Sequence, residues 1–368
     1  MNVVRVSTRP TYRSSGMGLH PFKITESMSD VNTIYVYPKN ESDNIEFNNN
    51  DNVKEVEVPF HLEKRDPKVG FIGKLSFTAR RVFNVLKFNL SVINRLKKEK
   101  VDIVHIHSPM YFVIAFYYWL RGSRCYITYH GSDLNAVQNS RVYKVLSKIF
   151  SGAFSISPNM VERLQKFHKA PNLYVTNNAI DVNSYSIDNA LPRQKILLAV
   201  GSLKVEKGFN MLIDAFSNAK KDNLLSGYKL HIAGEGPLHS ELSRKIVNLG
   251  LEDDVFLLGH LDKEGLLEAY NRSEVFVLSS ISEGFPKVLL EAMVCNLKIL
   301  ATDVGAVRTT LPGYKYIVSP NEESLRKGLI DIVSDAVDYN FDTVISQYSD
   351  WSKVSEKYKE IYFNDNAK

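Results

Sequence analysis

Glu283 and Glu291 stand eight positions apart in the stretch SEGFPKVLLEAM, residues 282–293, with Pro286 between them. Proline fits the first turn of a helix, where a missing N–H costs nothing, so the spacing predicts a helix starting near Phe285 or Pro286. Val288, Leu289, Ala292 and Met293 recur at helical spacing, Asn296 is suited to a left-handed helix end, and the β-type run Lys298 to Thr302 follows. Glu283 then falls in the loop before the helix and Glu291 well inside it. Gly284 lets a ligand approach that loop closely, and the bare N–H groups of a helix start can hold an anion. The competing reading is a solvated helix with two surface glutamates.

Other residues of chemical interest follow β-type runs. Gly201 and Ser202 come after KILLAV, and Lys207-Gly208 then introduces a helical run; Lys207 can neutralise a phosphate or simply face solvent. His130 ends CYITYH, where a histidine is either structural or catalytic, and Asp133 is placed to cap the helix after it. Gly16 and Gly18, in STRPTYRSSGMGLH, predict a glycine-containing loop able to approach a phosphate or sugar, although an ordinary flexible loop fits as well. Gly234 to Pro237, GEGP, reads as a tight turn between strand and helix. The dinucleotide fingerprint G-x-G-x-x-G is absent, which removes a dehydrogenase reading.

The elements that must hold these residues alternate. Strands are expected at 3–7, 32–38, 102–107, 125–130, 154–158 and 173–178, and in a second series at 195–201, 228–234, 254–259, 274–279 and 298–303. Helical runs lie between them, as at Asn210 to Ala219, Leu238 to Leu249 and Lys263 to Asn271. This alternation predicts parallel sheets covered on both faces, with ligands beyond the strand C-terminal ends. The polar stretch 179–194 divides the two series, which gives two doubly wound, Rossmann-like domains with a cleft between them. The N-terminal domain is expected over 1–180, rejoined by a crossover helix at 350–368, and the C-terminal domain over 181–349.

The bulk numbers agree with such an architecture. The chain has 368 residues, 44% hydrophobic and 24% charged, with a net charge of +5. That is enough for two ordinary domains, and the charge alone implies no nucleic acid. Cys125 and Cys295 lack metal spacing and exclude a disulfide framework, so a reducing cytoplasm is the simplest compartment. The N-terminus lacks the apolar core of a signal peptide, and the run MYFVIAFYYWL, 110–120, is too short to span a bilayer and reads as a buried helix.

Taken together and in order, these motifs resemble the retaining glycosyltransferases of the GT-B architecture, in the large family that includes sucrose synthase and bacterial mannosyl- and glucosyltransferases. The resemblance is strongest over 195–311. SEGFPKVLLEAM resembles the E-x7-E element of that family, TNNAID at 176–181 its interdomain segment, and YSDWSKVSEKYKEIY at 348–362 its terminal helix. It implies that Glu291 binds the ribose hydroxyls of a nucleotide-sugar donor, since a carboxylate can accept from both. Glu283 is then beside the transferred sugar. Lys207 and the N–H groups near Phe285, Lys287 and Val288 hold the diphosphate, His130 reaches the sugar from the other domain, and Gly16 and Gly18 pass close to diphosphate and sugar. The catalytic set implied is Glu283, His130 and Lys207; Gly16, Gly18, Gly201, Ser202, Lys207, Gly284, Phe285, Lys287, Val288 and Glu291 bind the donor. No metal and no cofactor beyond the donor substrate are implied. Two departures stand out. Ser202 replaces an arginine that contacts phosphate in the family, with Lys204 the nearest substitute, and Ala179 replaces a glycine.

The resemblance further implies transfer with retention of configuration from a UDP-sugar, with GDP-mannose next, to a glycan or lipid-linked glycan in cell-surface polysaccharide or glycolipid biosynthesis. A nucleotide-sugar epimerase on the same fold and a non-catalytic partner subunit are the other readings. Residues 64–100 carry a separate signal. Lys68, Lys74, Arg80, Arg81, Lys87 and Arg95 alternate there with Phe71, Ile72, Phe77, Phe83 and Phe88. Such a segment either lies on an anionic membrane surface, which would make the protein peripheral to the inner face of the cell membrane, or is a core helix with a solvated basic face.

Overall fold

Among the described residues thirteen strands, most of them built from the apolar β-branched and aromatic runs that favour a pleated, half-buried surface, form two sheets. The computed structural model describes residues 1–8, 16–39, 47, 50–60, 71–176, 178–185, 187, 191–336 and 340–364. Contacts divide the chain into two units, Met1–Asn177 with Trp351–Lys368, and Asn178–Asp350.

In the first unit the strands are β1 (Asn2–Val6), β2 (Asn32–Pro38), β3 (Val53–Val58), β4 (Ile103–Ile106), β5 (Arg124–Tyr129), β6 (Gly152–Ser155) and β7 (Asn172–Val175). They pair in parallel in the order β3-β2-β1-β4-β5-β6-β7. The second unit holds β8 (Gln194–Val200), β9 (Lys229–Ala233), β10 (Val255–Gly259), β11 (Ser273–Leu278), β12 (Lys298–Thr302) and β13 (Ile317–Val318), also parallel, in the order β10-β9-β8-β11-β12-β13. Each order reverses once, between β1 and β4 and between β8 and β11, and such a switch point opens a crevice at the strand C-terminal ends.

Alternation along β8 shows how the second sheet is covered. Leu197 and Ala199 pack with Leu212, Phe216 and Leu230 on one face, and Leu198 packs with Phe276, Leu289 and Ile299 on the other. Both faces are therefore core. Ile180 is buried in the same layer, and its N–H donates to the Tyr348 carbonyl, so the second unit starts before the polar stretch expected to divide the chain has ended.

The helix Trp351–Asn364 packs into the first unit through Trp351, Val354, Tyr358 and Tyr362. Its tyrosine hydroxyls meet a buried polar layer. Tyr358 shares hydrogen bonds with Thr176 (3.0 Å), Thr128 (3.2 Å) and His20 Nε2 (3.1 Å). Tyr362 accepts from the buried Arg5 guanidinium at 3.3 Å and bonds Nδ1 of His105. Arg5 also donates to Thr25 at 2.8 Å and to the Pro21 carbonyl at 3.4 Å.

Several expectations need correction. Gly16 and Gly18 are not loop residues: they lie in the first turn of the helix Gly16–Glu26, and the loop itself, 9–15, lies outside the described residues. The helix after Glu283 begins at Lys287, with Pro286 as its N-cap at φ −80° and ψ 93°, one or two residues later than proline spacing predicts. The helix Phe112–Trp119 is only partly buried, since Phe116, Trp119 and the following Leu120 are exposed. Residues 64–70, including Lys68, lie outside the described residues, and the helix Phe71–Leu96 follows.

Removing the Tyr358 hydroxyl tests the polar layer. Tyr358→Phe leaves Thr128, Thr176 and His20 short of a buried partner and should cost about 1–3 kcal/mol, read as a lower midpoint in denaturant with an unchanged slope.

Candidate functional site

The second unit brings Lys207 and Glu283 together across its switch point. β8 ends at Val200, and the chain turns through Gly201 and Ser202 into a short 3-10 turn, Val205–Lys207, before the helix Phe209–Lys221. Gly208 makes that turn in the left-handed conformation, φ 66°, where a Cβ would stand 2.0 Å from the Ser279 carbonyl oxygen, so no other residue fits without moving the backbone. On the β11 side, Ser279 donates to the Lys207 carbonyl at 2.9 Å and Ser280 donates to Glu283 Oε1 at 2.7 Å. Lys207 Nζ lies 2.5 Å from the same Oε1, with the Glu283 side chain only 9% exposed. Two residues 76 positions apart are thus held as one partly buried ion pair by loops fixed to adjacent strands.

Glu291 lies one turn along the helix Lys287–Val294 from Lys287. It accepts from the Tyr270 hydroxyl at 2.8 Å and from the Tyr185 hydroxyl. Burial raises its pKa, while Tyr270, Lys287 and Tyr185 act in the opposite direction. Burial also pulls the Lys287 ammonium down to about 8 against the attraction of Glu291. The first-turn N–H groups of Lys287 and Val288 have no acceptor within the helix, as at any helix start. Phe285 packs against the Tyr348 ring, centroids 5.4 Å apart, and Val288 against the core, so both can offer a ligand their backbone rather than their side chains. Gly284 accepts from the Ala306 N–H at 3.2 Å, which ties the loop to the segment after β12. Lys204, the nearest substitute for the cation missing at Ser202, is exposed.

In the first unit His130 follows β5. Its backbone N–H donates to both carboxylate oxygens of Asp133, at 2.9 and 3.1 Å, and its Nε2 lies 3.3 Å from His107 Nδ1. Asp133 lies inside the helix Ser132–Val137, whose N-cap position is Gly131, and its carboxylate accepts from the first-turn N–H of Leu134 at 2.9 Å as well as from His130. Burial raises Asp133 to about 6 despite these hydrogen bonds. Two residues after Gly18, His20 places its ring 5.5 Å from that of His130. Among the described residues no group of three or more His, Cys, Asp or Glu is arranged to hold a metal ion.

Ser280, Tyr185, Tyr270 and His107 were not singled out from sequence. Nothing local to the tyrosines or to His107 marks their partners, which lie 21 to over 100 positions away.

Residues 184–350 match the family model described as Glycosyl transferases group 1, and residues 55–184 match Glycosyltransferase Family 4. The two matches adjoin; between them they take in the whole second sheet and the first sheet from within β3 onward, leaving β1 and β2 outside. The chain thus carries a Glycosyl transferases group 1 match and a Glycosyltransferase Family 4 match on the two parallel-sheet units of a GT-B fold. It is 22% identical over 286 residues to the phosphatidylinositol N-acetylglucosaminyltransferase gpi3 subunit of Schizosaccharomyces pombe, covering 73% of the chain and 62% of that protein. It is 32% identical over 210 residues to the N-acetylgalactosamine-N,N'-diacetylbacillosaminyl-diphospho-undecaprenol 4-alpha-N-acetylgalactosaminyltransferase of Campylobacter jejuni, covering 54% and 56%. The matched stretch is therefore less than two thirds of either relative. Among solved structures, sucrose-phosphate synthase from Thermosynechococcus elongatus superposes with a TM-score of 0.79 at 17% identity, over 100% of this chain and 99% of the other. Anabaena HepE in complex with UDP and glucose superposes with a TM-score of 0.71 at 17% identity, over 98% of each chain. Likeness at that identity shows the fold.

The depressed Lys287 ammonium makes a prediction about stability. Below pH 8 the lysine is charged in both folded and unfolded chains, and the folded state bears its desolvation; above the unfolded value of 10.5 both are neutral. Between these values the unfolded chain binds more protons, so this group's contribution to stability rises with pH. Lys287→Met should raise the melting temperature at pH 7, and the gain should shrink as pH climbs through the 8 to 10.5 window. A gain that grows with pH would contradict the assignment.

Proposed function

We propose that this glycosyltransferase moves a sugar from a nucleotide-sugar, a UDP-sugar before GDP-mannose, to a lipid-linked glycan or glycolipid acceptor, with retention of anomeric configuration. The observation that carries the donor side is the Lys207–Glu283 pair at the β8/β11 switch point, with Glu291 and the N-terminus of its helix close in sequence behind it. In this reading the Glu291 carboxylate, aimed by Tyr270 and Tyr185, accepts from the two ribose hydroxyls. Lys207, Lys287 and the N–H groups of Lys287 and Val288 meet the diphosphate, whose negative charge grows as it departs. Glu283 sits between Lys207 and Ser280, with its second oxygen toward the sugar, and His130 is the further catalytic residue of this reading. The bond from the anomeric carbon to the phosphate oxygen breaks on the face where the acceptor oxygen bonds. The acceptor proton passes to the leaving diphosphate.

Relatives support the substrate classes. The two curated relatives are named for transfer of N-acetylglucosamine to phosphatidylinositol and of N-acetylgalactosamine to a diphospho-undecaprenol acceptor, and a superposing structure holds UDP. An anionic membrane surface fits the same acceptor. Along the helix Phe71–Leu96 the buried positions are Phe88, Asn89, Val92 and Leu96, whereas Val82, Phe83, Leu86 and Leu90 are exposed beside Arg80, Arg81 and Lys87. The helix therefore buries one face and leaves a second apolar face, flanked by cations, uncovered. Phe116, Trp119 and Leu120, exposed at the neighbouring helix Phe112–Trp119, extend the apolar surface. Among the described residues no helix is long and apolar enough to cross a membrane, so this face would bind at the surface.

Two experiments test the proposal. Thermal unfolding against a panel of nucleotides and nucleotide-sugars should show stabilisation of about 2.7 kcal/mol at roughly 100 times the dissociation constant for one base, lost in Glu291→Ala. Glu283→Gln should keep that shift and lose transfer. No shift with any nucleotide favours the non-catalytic subunit, and conversion of the donor sugar without acceptor favours the epimerase. In vesicle flotation, phosphatidylglycerol vesicles should retain the protein at low salt and neutral phosphatidylcholine vesicles should not; Phe83→Asp with Leu90→Asp should abolish retention. Equal retention by both lipids, or by the double variant, would sink the membrane reading.

A further inference from the structure

His107 is 1% exposed at the end of β4, its N–H donating to the Val6 carbonyl at 3.0 Å. Its ring stacks on that of His105 at 4.7 Å and 12°, and its Nδ1 lies 3.3 Å from Nε2 of His130. Nε2 of His107 is buried and has no hydrogen-bond partner. Nothing in the reading of the donor site uses this residue. We propose that His107 is a positioning residue: its Nδ1–H donates to Nε2 of His130, which fixes the orientation and the tautomer of the His130 ring and leaves the His130 proton on Nδ1.

Burial, with His105, His130, Arg5 and His20 adding to it, holds His107 well below the ordinary histidine range, so the ring carries a single proton. If that proton were on Nε2, a buried N–H would have no acceptor. If it is on Nδ1, the unpartnered atom is a bare lone pair, and orphaned buried donors are rarer in folded proteins than under-satisfied acceptors. The second arrangement makes His107 the donor and Nε2 of His130 the acceptor. A ring nitrogen that accepts carries no proton, so the neutral His130 ring must hold its proton on the other nitrogen. His130 then offers Nδ1–H as a donor. It cannot also take up a proton on Nε2 without forcing His107 into the tautomer with the orphan donor. The groups around the pair point the same way: Asp133 is occupied by the His130 backbone N–H, and Arg5 and His105 lie behind His107. His20 faces the His130 ring edge-on at 5.5 Å. His130 is thereby made a fixed Nδ1–H donor rather than a base.

This deepens the role given to His130 in the transfer reaction, but its test does not require the reaction. Nitrogen-15 spectra of histidine side chains in the full chain at neutral pH, with His130 assigned through His130→Gln, should show His130 neutral and protonated on Nδ1. An asparagine amide occupies the place of Nδ1 and a glutamine amide that of Nε2. His107→Asn should therefore preserve the His130 tautomer, whereas His107→Gln and His107→Ala should release it to the Nε2–H form ordinary for a solvated imidazole. His130 protonated on Nε2 in the parent overturns the proposal outright, with no dependence on how the variants fold. So does an Nδ1–H tautomer that survives in folded His107→Ala. If turnover can be measured, His107→Ala should lower kcat by about tenfold to a hundredfold with donor KM little changed, and His107→Asn should restore it. The expected spectra without any transferase activity would leave the His107 assignment standing and remove the reading of function.

Discussion

A parallel sheet covered on both faces has no solvated side on which polar chemistry can stand, and that constraint organises both units. Along β8 Leu197, Leu198 and Ala199 point into the two apolar layers in turn, so no side chain of that buried stretch is free for a ligand. Polar groups collect where the strands stop. Lys207 and Glu283 come from the loops after β8 and β11, the one place in the second sheet where neighbouring crossovers run in opposite directions and leave room between them. The loops cannot wander, because Ser279 ties one to the other, Ser280 holds Glu283 within its own loop, and Gly208 lets the backbones touch.

The first unit breaks the rule of an apolar interior, and the exception has a purpose in packing. Arg5 points from β1 into the core, where Thr25, Pro21 and Tyr362 supply neutral acceptors. A cation held this way raises the cost of any second charge nearby. His105 and His107 are driven neutral by burial first and by Arg5 among others. Neutral histidines are both donor and acceptor, so they can chain with the hydroxyls of Thr128, Tyr358 and Tyr362. The result docks the helix Trp351–Asn364 by satisfied polar contacts as well as by area, which specifies one register for a helix that joins the unit from the far end of the chain.

How much of this was legible in sequence depended on the range of the interaction. The strands at 32–38, 195–201 and 298–303 were readable because apolar β-branched runs bounded by turn residues are local signals. β3 was not: VKEVEV alternates charge with valine, and its exposed side follows from its place at the sheet edge, which no local pattern reveals. β13, two residues long, exists only because β12 pairs with it. Asn296 was placed correctly in the left-handed region, φ 53°, because a short polar residue after an amphipathic run is a local signal too. Gly16 and Gly18 were misplaced since glycine permits a loop without requiring one. At the site, the helix bearing Glu291 was visible, whereas the partners Tyr185 and Tyr270 depend on a tertiary fold that brings them 106 and 21 positions back along the chain.

The electrostatics around Lys207, Glu283, Lys287 and Glu291 suit the anion of the proposed donor. Lys207 is neutralised by Glu283, and Ser202 brings no charge. Glu291 is a carboxylate that burial disfavours, held by two phenols. What remains is Lys287, an ammonium that burial pulls toward neutrality at the start of a helix whose dipole already repels cations. A cation there is a cost to the folded chain in the absence of a ligand, and a diphosphate turns both that ammonium and the helix start into attraction. Strain of this kind, an element that breaks a local rule with no structural gain, is what a sequence shaped for binding leaves behind.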